Sequence, residues 1–149
     1  MYRVHNRRYD PLDAGGAAIV GGRWNPVGSL VVYACRTFEG ALLEQLVHAG
    51  TGRLPKNRIA AAIRLPKDVE VPLLDLSAHA QWRRESVSQQ IGKEWLSGGE
   101  SLAIQVPSIV AQPWGWNILL NPRHPDFGRV AVVDSAEVAW DPRFGMSVR

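Results

Sequence analysis

The run Leu30-Val31-Val32-Tyr33-Ala34, followed after only three residues by a helical repeat, sets the strongest limit on how this chain folds. The five residues are apolar and β-rich, bounded by Gly28 and by Arg36-Thr37, and they read as a buried strand. Thr37 has the side chain to cap a helix by accepting from a free backbone N–H of the first turn. Beyond it Phe38, Ala41, Leu42, Gln45, Leu46 and Ala49 recur at helical spacing, and Gly50 and Gly52 supply the stop. A strand feeding directly into an amphipathic helix needs a sheet on which that helix can lie.

The rest of the chain offers strands for that sheet. Tyr2 to His5 reads as a short first strand and Arg8 to Ala17 as a turn-rich loop. Arg58 to Leu65 and Val69 to Leu74 read as strands separated by Pro66-Lys67-Asp68, and Ser86 to Leu96 reads as a second helix stopped by Gly98-Gly99. Leu102 to Val106, Trp116 to Leu120 and Arg129 to Val133 complete the set, divided by proline-containing turns. Many short strands with two helices predict an α+β domain of mixed small sheets with flanking helices. The length of 149 residues fits a single domain spanning residues 1–149, with no repeat or low-complexity linker.

Composition narrows the function classes. The chain is 46% hydrophobic and 21% charged, which is globular rather than disordered. No apolar run reaches the roughly 20 residues needed to span a bilayer, and Met1 to Arg8 has no apolar signal-like core. The lone Cys35 excludes an internal disulfide, and a cytoplasmic location is expected. A net charge of +3 favours an anionic ligand or acidic partner, yet the cations are scattered and form no nucleic-acid-binding motif. Direct nucleic-acid binding is not expected.

Five residues stand out chemically. Gly21-Gly22-Arg23-Trp24-Asn25-Pro26 lets the backbone turn tightly, and the Arg23 fork suits a phosphate or carboxylate; a surface arginine packed on Trp24 is the plainer reading. Glu44 lies on a flank of its helix with Gly40 and Val47, away from the Phe38-Leu42-Leu46 stripe. It is either an ordinary helical glutamate or a carboxylate facing a pocket. In the second case, at about 4 Å and an effective dielectric near 20, its charge is worth roughly 4 kcal/mol to a developing cation. Tyr33 is a core tyrosine or a platform for an aromatic ring. Arg3 is an unusual cation among apolar neighbours, and Ser108, after Pro107, is a turn former or a hydrogen-bond donor to substrate.

Other chemistries lack their residues. His5, His48, His79 and His124 show no metal-ligand spacing, so no metal site is expected. There is no Gly-x-Ser-x-Gly elbow, no phosphate-binding Gly-x-x-x-x-Gly-Lys-Ser/Thr loop and no Rossmann glycine pattern. Cys35 reads as a core residue, and Trp114 and Trp116 as packing or cleft-lining residues.

Taken in order, Tyr2-Arg3-Val4, Gly22-Arg23-Trp24-Asn25-Pro26-x-Gly28, Val32-Tyr33-Ala34, Ala41-Leu42-Leu43-Glu44, Pro107-Ser108 and Asn121-Pro122-x-His124-Pro125-Asp126-Phe127 resemble the RES-domain family of bacterial type II toxin–antitoxin modules. Each element is weak alone; the ordered set spans nearly the whole chain. The compact stretch from Gly50 to Arg58 departs from the family pattern at a rim loop. The resemblance implies a fold similar to that of ADP-ribosyltransferases and a toxin that degrades NAD by hydrolysis or phosphorolysis. It implies NAD as substrate with no separate cofactor, and a helix-turn-helix antitoxin of Xre type as partner, with room for a homodimer within the complex. Carried over by residue, Arg3 and Arg23 meet the phosphates and ribose, Tyr33 holds or stacks on the nicotinamide side, Glu44 acts at the nicotinamide ribose, and Ser108 lines the same pocket. On this reading Arg23 faces Glu44 across one pocket. Mono-ADP-ribosylation of a host protein and a non-catalytic antitoxin-binding module are the alternatives.

Overall fold

The structure, a computed structural model, describes residues 1–50 and 53–145; Thr51 and Gly52, part of the expected helix stop and rim loop, lie outside the described residues. Strand β1 (Tyr2–Asn6) is followed by helix α1 (Gly15–Val20), β2 (Val32–Cys35), α2 (Phe38–Ala49), β3 (Arg58–Arg64), α3 (Glu85–Gly98), β4 (Ala103–Pro107), β5 (Trp116–Leu120) and β6 (Ala131–Glu137). Short 3-10 turns occupy Pro125–Arg129 and Pro142–Gly145. The α+β class follows, with the strands joined in one antiparallel sheet of order β4-β5-β2-β1-β3-β6.

That sheet is nearly cut in two. Strand β1 pairs with β3 from Tyr2↔Ala62 to Asn6↔Arg58, and β2 pairs with β5 from Val32↔Leu120 to Cys35↔Asn117. Between the two halves β1 and β2 share only the pair Tyr2↔Cys35. Past that point the central strands are not hydrogen-bonded to each other, and space opens between them.

The period-2 alternation of strands fixes which side chains fill which face. Val32, Ala34, Ile118 and Leu120 join Ala61, Ile63 and Leu102 in one core. Val31 and Leu119 point the other way, into a second core with Trp24, Trp82 and Ile91 beneath α3. Helix α2 seals Val4 and Cys35 with Ala41. Its start is as the sequence predicts: the Thr37 hydroxyl accepts from the Gly40 amide at 3.1 Å.

Two segments depart from expectation. The supposed loop from Arg8 to Ala17 holds the start of α1, although two glycines disfavour a helix there. Tertiary bonds supply the difference: the Asn25 side-chain amide donates to the Ala17 carbonyl at 2.8 Å and the Gly28 amide to the Ala18 carbonyl at 2.8 Å. Val69 to Leu74, expected as a strand, makes only an isolated parallel bridge between Leu73 and Gln105. Pro72 has no N–H to extend that pairing.

Candidate functional site

A cavity of ≈ 670 Å³ fills the split between β1 and β2, a size suited to a small molecule or cofactor. Its walls are β1 from Tyr2 to Asn6, Tyr33 to Cys35 of β2, residues of α1, and Ala41, Glu44, Gln45 and His48 of α2, with Asn117 behind. The sheet therefore opens where three of the five singled-out residues converge: Arg3, Tyr33 and Glu44 all line this space.

Glu44 is held on one side only. Its Oε1 accepts from the Ser108 hydroxyl at 2.9 Å and from the Asn117 side-chain amide at 2.8 Å. Its Oε2 accepts from no group among the described residues. Ser108 is 2% exposed and itself oriented, its oxygen accepting from the Val110 and Ala111 amides at 3.1 and 3.0 Å. Since those amides take its lone pairs, its single hydrogen goes to Glu44. Ser108 lines a smaller hollow on the far side, with Leu43, Trp114 and Trp116, and reaches the cavity through Glu44.

Arg3 spans cavity and loop. Its Nη1 donates to the Pro11 carbonyl at 2.8 Å and its Nη2 to the Asp13 carbonyl at 3.1 Å. An arginine carries five N–H donors, so three remain. Burial lowers its pKa, against the opposing pull of Asp13 and Asp10. The Tyr33 hydroxyl is fully used by the protein, donating to Asn25 Oδ1 at 2.6 Å and accepting from the Trp24 amide at 3.0 Å. Burial pushes its pKa up, with Glu85 adding to the rise and the Trp24 amide opposing it. What Tyr33 offers the cavity is its ring.

Arg23 sits elsewhere. It is not among the residues lining the cavity, so it does not face Glu44 across it. Its Nη2 donates to the Arg83 carbonyl, and its own carbonyl accepts from the Ser88 hydroxyl at 2.6 Å. The loop around it is a clasp on α3: Trp24 stacks on Trp82 with ring centroids 6.0 Å apart, and Gln89 donates to the Gly22 carbonyl at 3.0 Å. Asn25, wholly buried, is the hub of this clasp, donating to the Ala17 and Ser29 carbonyls while receiving Tyr33. The two glycines serve that packing, because a Cβ on Gly22 would stand 2.7 Å from the Tyr33 oxygen.

Three cavity residues escape the sequence reading. Asn117 is an unremarked member of a strand, and only its cross-strand pairing with Cys35 brings it to Glu44. His48 lies one helical turn beyond Glu44, a spacing that places both on one face. His5 alternates with Arg3 on β1 and so shares its face; burial lowers its pKa, and its Nε2 is buried without a partner among the described residues. Among the described residues no group of His, Cys, Asp and Glu is arranged to hold a metal ion.

A carboxylate held through one oxygen, a guanidinium with donors to spare and an aromatic ring thus line one cavity in the split α+β sheet. Comparison with known proteins gives the chain a family. Residues 1–141 match the RES domain, and the chain belongs to the RES-domain family. It is 34% identical over 141 residues to the Prs ADP-ribosylating toxin of Sphingobium sp. (strain YBL2), covering 90% of this chain and 86% of that one. It is 32% identical over 149 residues to Toxin Res of Yersinia enterocolitica, covering 96% and 97%. The fold matches a chain of the M. tuberculosis MbcT–MbcA toxin–antitoxin complex with a TM-score of 0.75, at 17% identity, over 95% of this chain and 84% of that one.

Proposed function

We propose that this protein is the toxin of a type II toxin–antitoxin pair and that it cleaves the nicotinamide–ribose bond of NAD. The observation that carries the reading is the Glu44 carboxylate, with Oε1 bound by Ser108 and Asn117 and Oε2 left for a ligand in the cavity. Breaking that bond leaves an oxocarbenium-like ribose, as in glycoside hydrolysis. A fixed carboxylate beside the ribose stabilises the developing positive charge, and its orientation costs nothing at the moment of reaction. Nicotinamide departs as a neutral molecule, so the site needs no general acid. The Tyr33 ring gives the nicotinamide a flat surface, and the remaining Arg3 donors suit the pyrophosphate. Ser108 acts by orienting Glu44. Arg23 gives one of its five N–H donors to the Arg83 carbonyl and in that position braces the loop that holds Tyr33.

Water or phosphate completes the cleavage. A protein acceptor is the second reading, favoured by the 34% identity to a relative named as ADP-ribosylating. The neutralising partner in this proposal is a helix-turn-helix antitoxin of Xre type, and the setting is the cytoplasm. No helix among the described residues is long and apolar enough to cross a membrane. Expression of the chain alone, followed by measurement of cellular NAD and growth, tests the proposal. NAD loss preceding growth arrest is the expected result, and arrest with intact NAD overturns it. NAD labelled in the adenylate part separates the acceptors: label in free ADP-ribose or its phosphate marks degradation, and label in a protein band marks transfer.

A further inference from the structure

We infer that Asn117 is a positioning residue for Glu44, its amide turned the same way by Glu44 and by the Cys35 thiol. The inference rests on Glu44 acting at the ribose. Cys35 and Asn117 are direct partners across the β2–β5 ladder, so their side chains leave the sheet on the same face. The Cys35 thiol donates to Asn117 Oδ1 at 3.2 Å, and Asn117 Nδ2 donates to Glu44 Oε1 at 2.8 Å. An amide presents a donor on one side and an acceptor on the other. A carboxylate only accepts, so Nδ2 must face Glu44, and this leaves Oδ1 toward the thiol. The thiol agrees: it is 6% exposed and buried among apolar groups, where it keeps its hydrogen and has a donor to offer. Both neighbours therefore select the same amide orientation.

The consequence lies in how Glu44 is held. Two hydrogens from different elements, one from the Ser108 turn and one from β5, converge on Oε1. One bond leaves a carboxylate free to pivot; two bonds on the same oxygen fix the plane and send Oε2 toward the cavity. Asn117 also lines that cavity and the far hollow, so it forms part of the wall between them. Its loss leaves the glutamate on the Ser108 bond alone.

The test measures nicotinamide release against NAD concentration and pH for the wild type, Asn117→Ala and Asn117→Asp, with thermal melts to confirm folding. Misplacement of a group by about 1 Å can cost on the order of 10²-fold in rate. Asn117→Ala is expected to lower kcat by at least about tenfold while KM stays within about threefold, the mark of an interaction used in the transition state. Asn117→Asp sets two carboxylates against each other, and such a pair shares a proton at low pH. Its activity is therefore expected to persist where the pair holds one proton, which can still be donated to Oε1, and to fall at higher pH, where that donor is lost and the two negative charges repel, an alkaline fall that the wild type does not show. A folded Asn117→Ala with wild-type kcat, or with a raised KM at unchanged kcat, overturns the assignment. Where Asn117→Ala does not fold, Asn117→Asp decides, and a pH profile identical to that of the wild type overturns the assignment. A wild-type protein that releases no nicotinamide overturns the parent reading and this one with it; an active wild type with an indifferent Asn117 overturns only this one.

Discussion

Tyr33 has two roles that its neighbours keep apart. Its hydroxyl belongs to the clasp, through Asn25 and Trp24, and its ring belongs to the cavity. Tyr33→Phe is accordingly expected to lose stability, by about 1–3 kcal/mol for the buried partner left without its bond. Its kcat with NAD is expected to stay within a few-fold of wild type. A chemical melt and a rate measurement on one preparation check both halves; a rate that collapses while stability holds assigns the hydroxyl to the chemistry instead. His5 gives a second prediction. Burial lowers its pKa below the ordinary 6.5, so the unfolded chain binds more protons than the folded one as the pH falls below 6.5. Stability from this group is complete above that pH and is lost on acidification. His5→Gln is expected to flatten the fall in stability between about pH 7 and pH 5, and an unchanged slope removes His5 from the account. At this scale Arg3 and Glu44 drew notice as charges among apolar neighbours and Tyr33 through its place in the ordered set of motifs, and all three line one cavity. Asn117 was not, because an asparagine in a strand is ordinary until Cys35 and Glu44 are placed beside it.

Strands and helices with strong local signals are where sequence and structure agree. Trp116–Leu120 occupies its predicted bounds, and Thr37 caps α2. Elements built by distant contacts are where they differ. Helix α1 stands on bonds from Asn25 and Gly28, and the segment from Val69 to Leu74 is limited to one bridge by Pro72. The Gly21–Pro26 loop shows why local cues alone mislead: glycine, arginine and asparagine serve an anion site and a packed turn equally well. In this fold they make the turn, and α3 closes on it. A Cβ on Gly92 would stand 1.7 Å from the Trp24 carbonyl oxygen, so Gly92→Ala must push α3 away from the loop. The expected cost is at the upper end of roughly 1–3 kcal/mol, which lowers Tm by about 5–10 °C in a domain of this size. An unchanged Tm would show that the two elements are not in the contact described.

Over the whole molecule, function follows from an interrupted sheet. Six strands make one antiparallel layer, but the central pair meets only at Tyr2 and Cys35, and the opening beyond that pair is the cavity. The α+β class was readable from the run of short strands. The interruption was not, because strand order and the length of a ladder depend on pairings between residues far apart in the chain. Ser108 and Glu44, 64 residues apart, meet for the same reason. In the proposed reaction everything turns on the carboxylate at the edge of that opening. The direct measurement is the time course of nicotinamide release from NAD by the purified protein, wild type beside Glu44→Gln, with both shown to be folded. Steady release by the wild type is expected, with a loss of roughly 10²-fold or more in kcat for Glu44→Gln, the scale on which fixed electrostatic groups act. Equal rates for the two folded proteins would contradict the role given to Glu44.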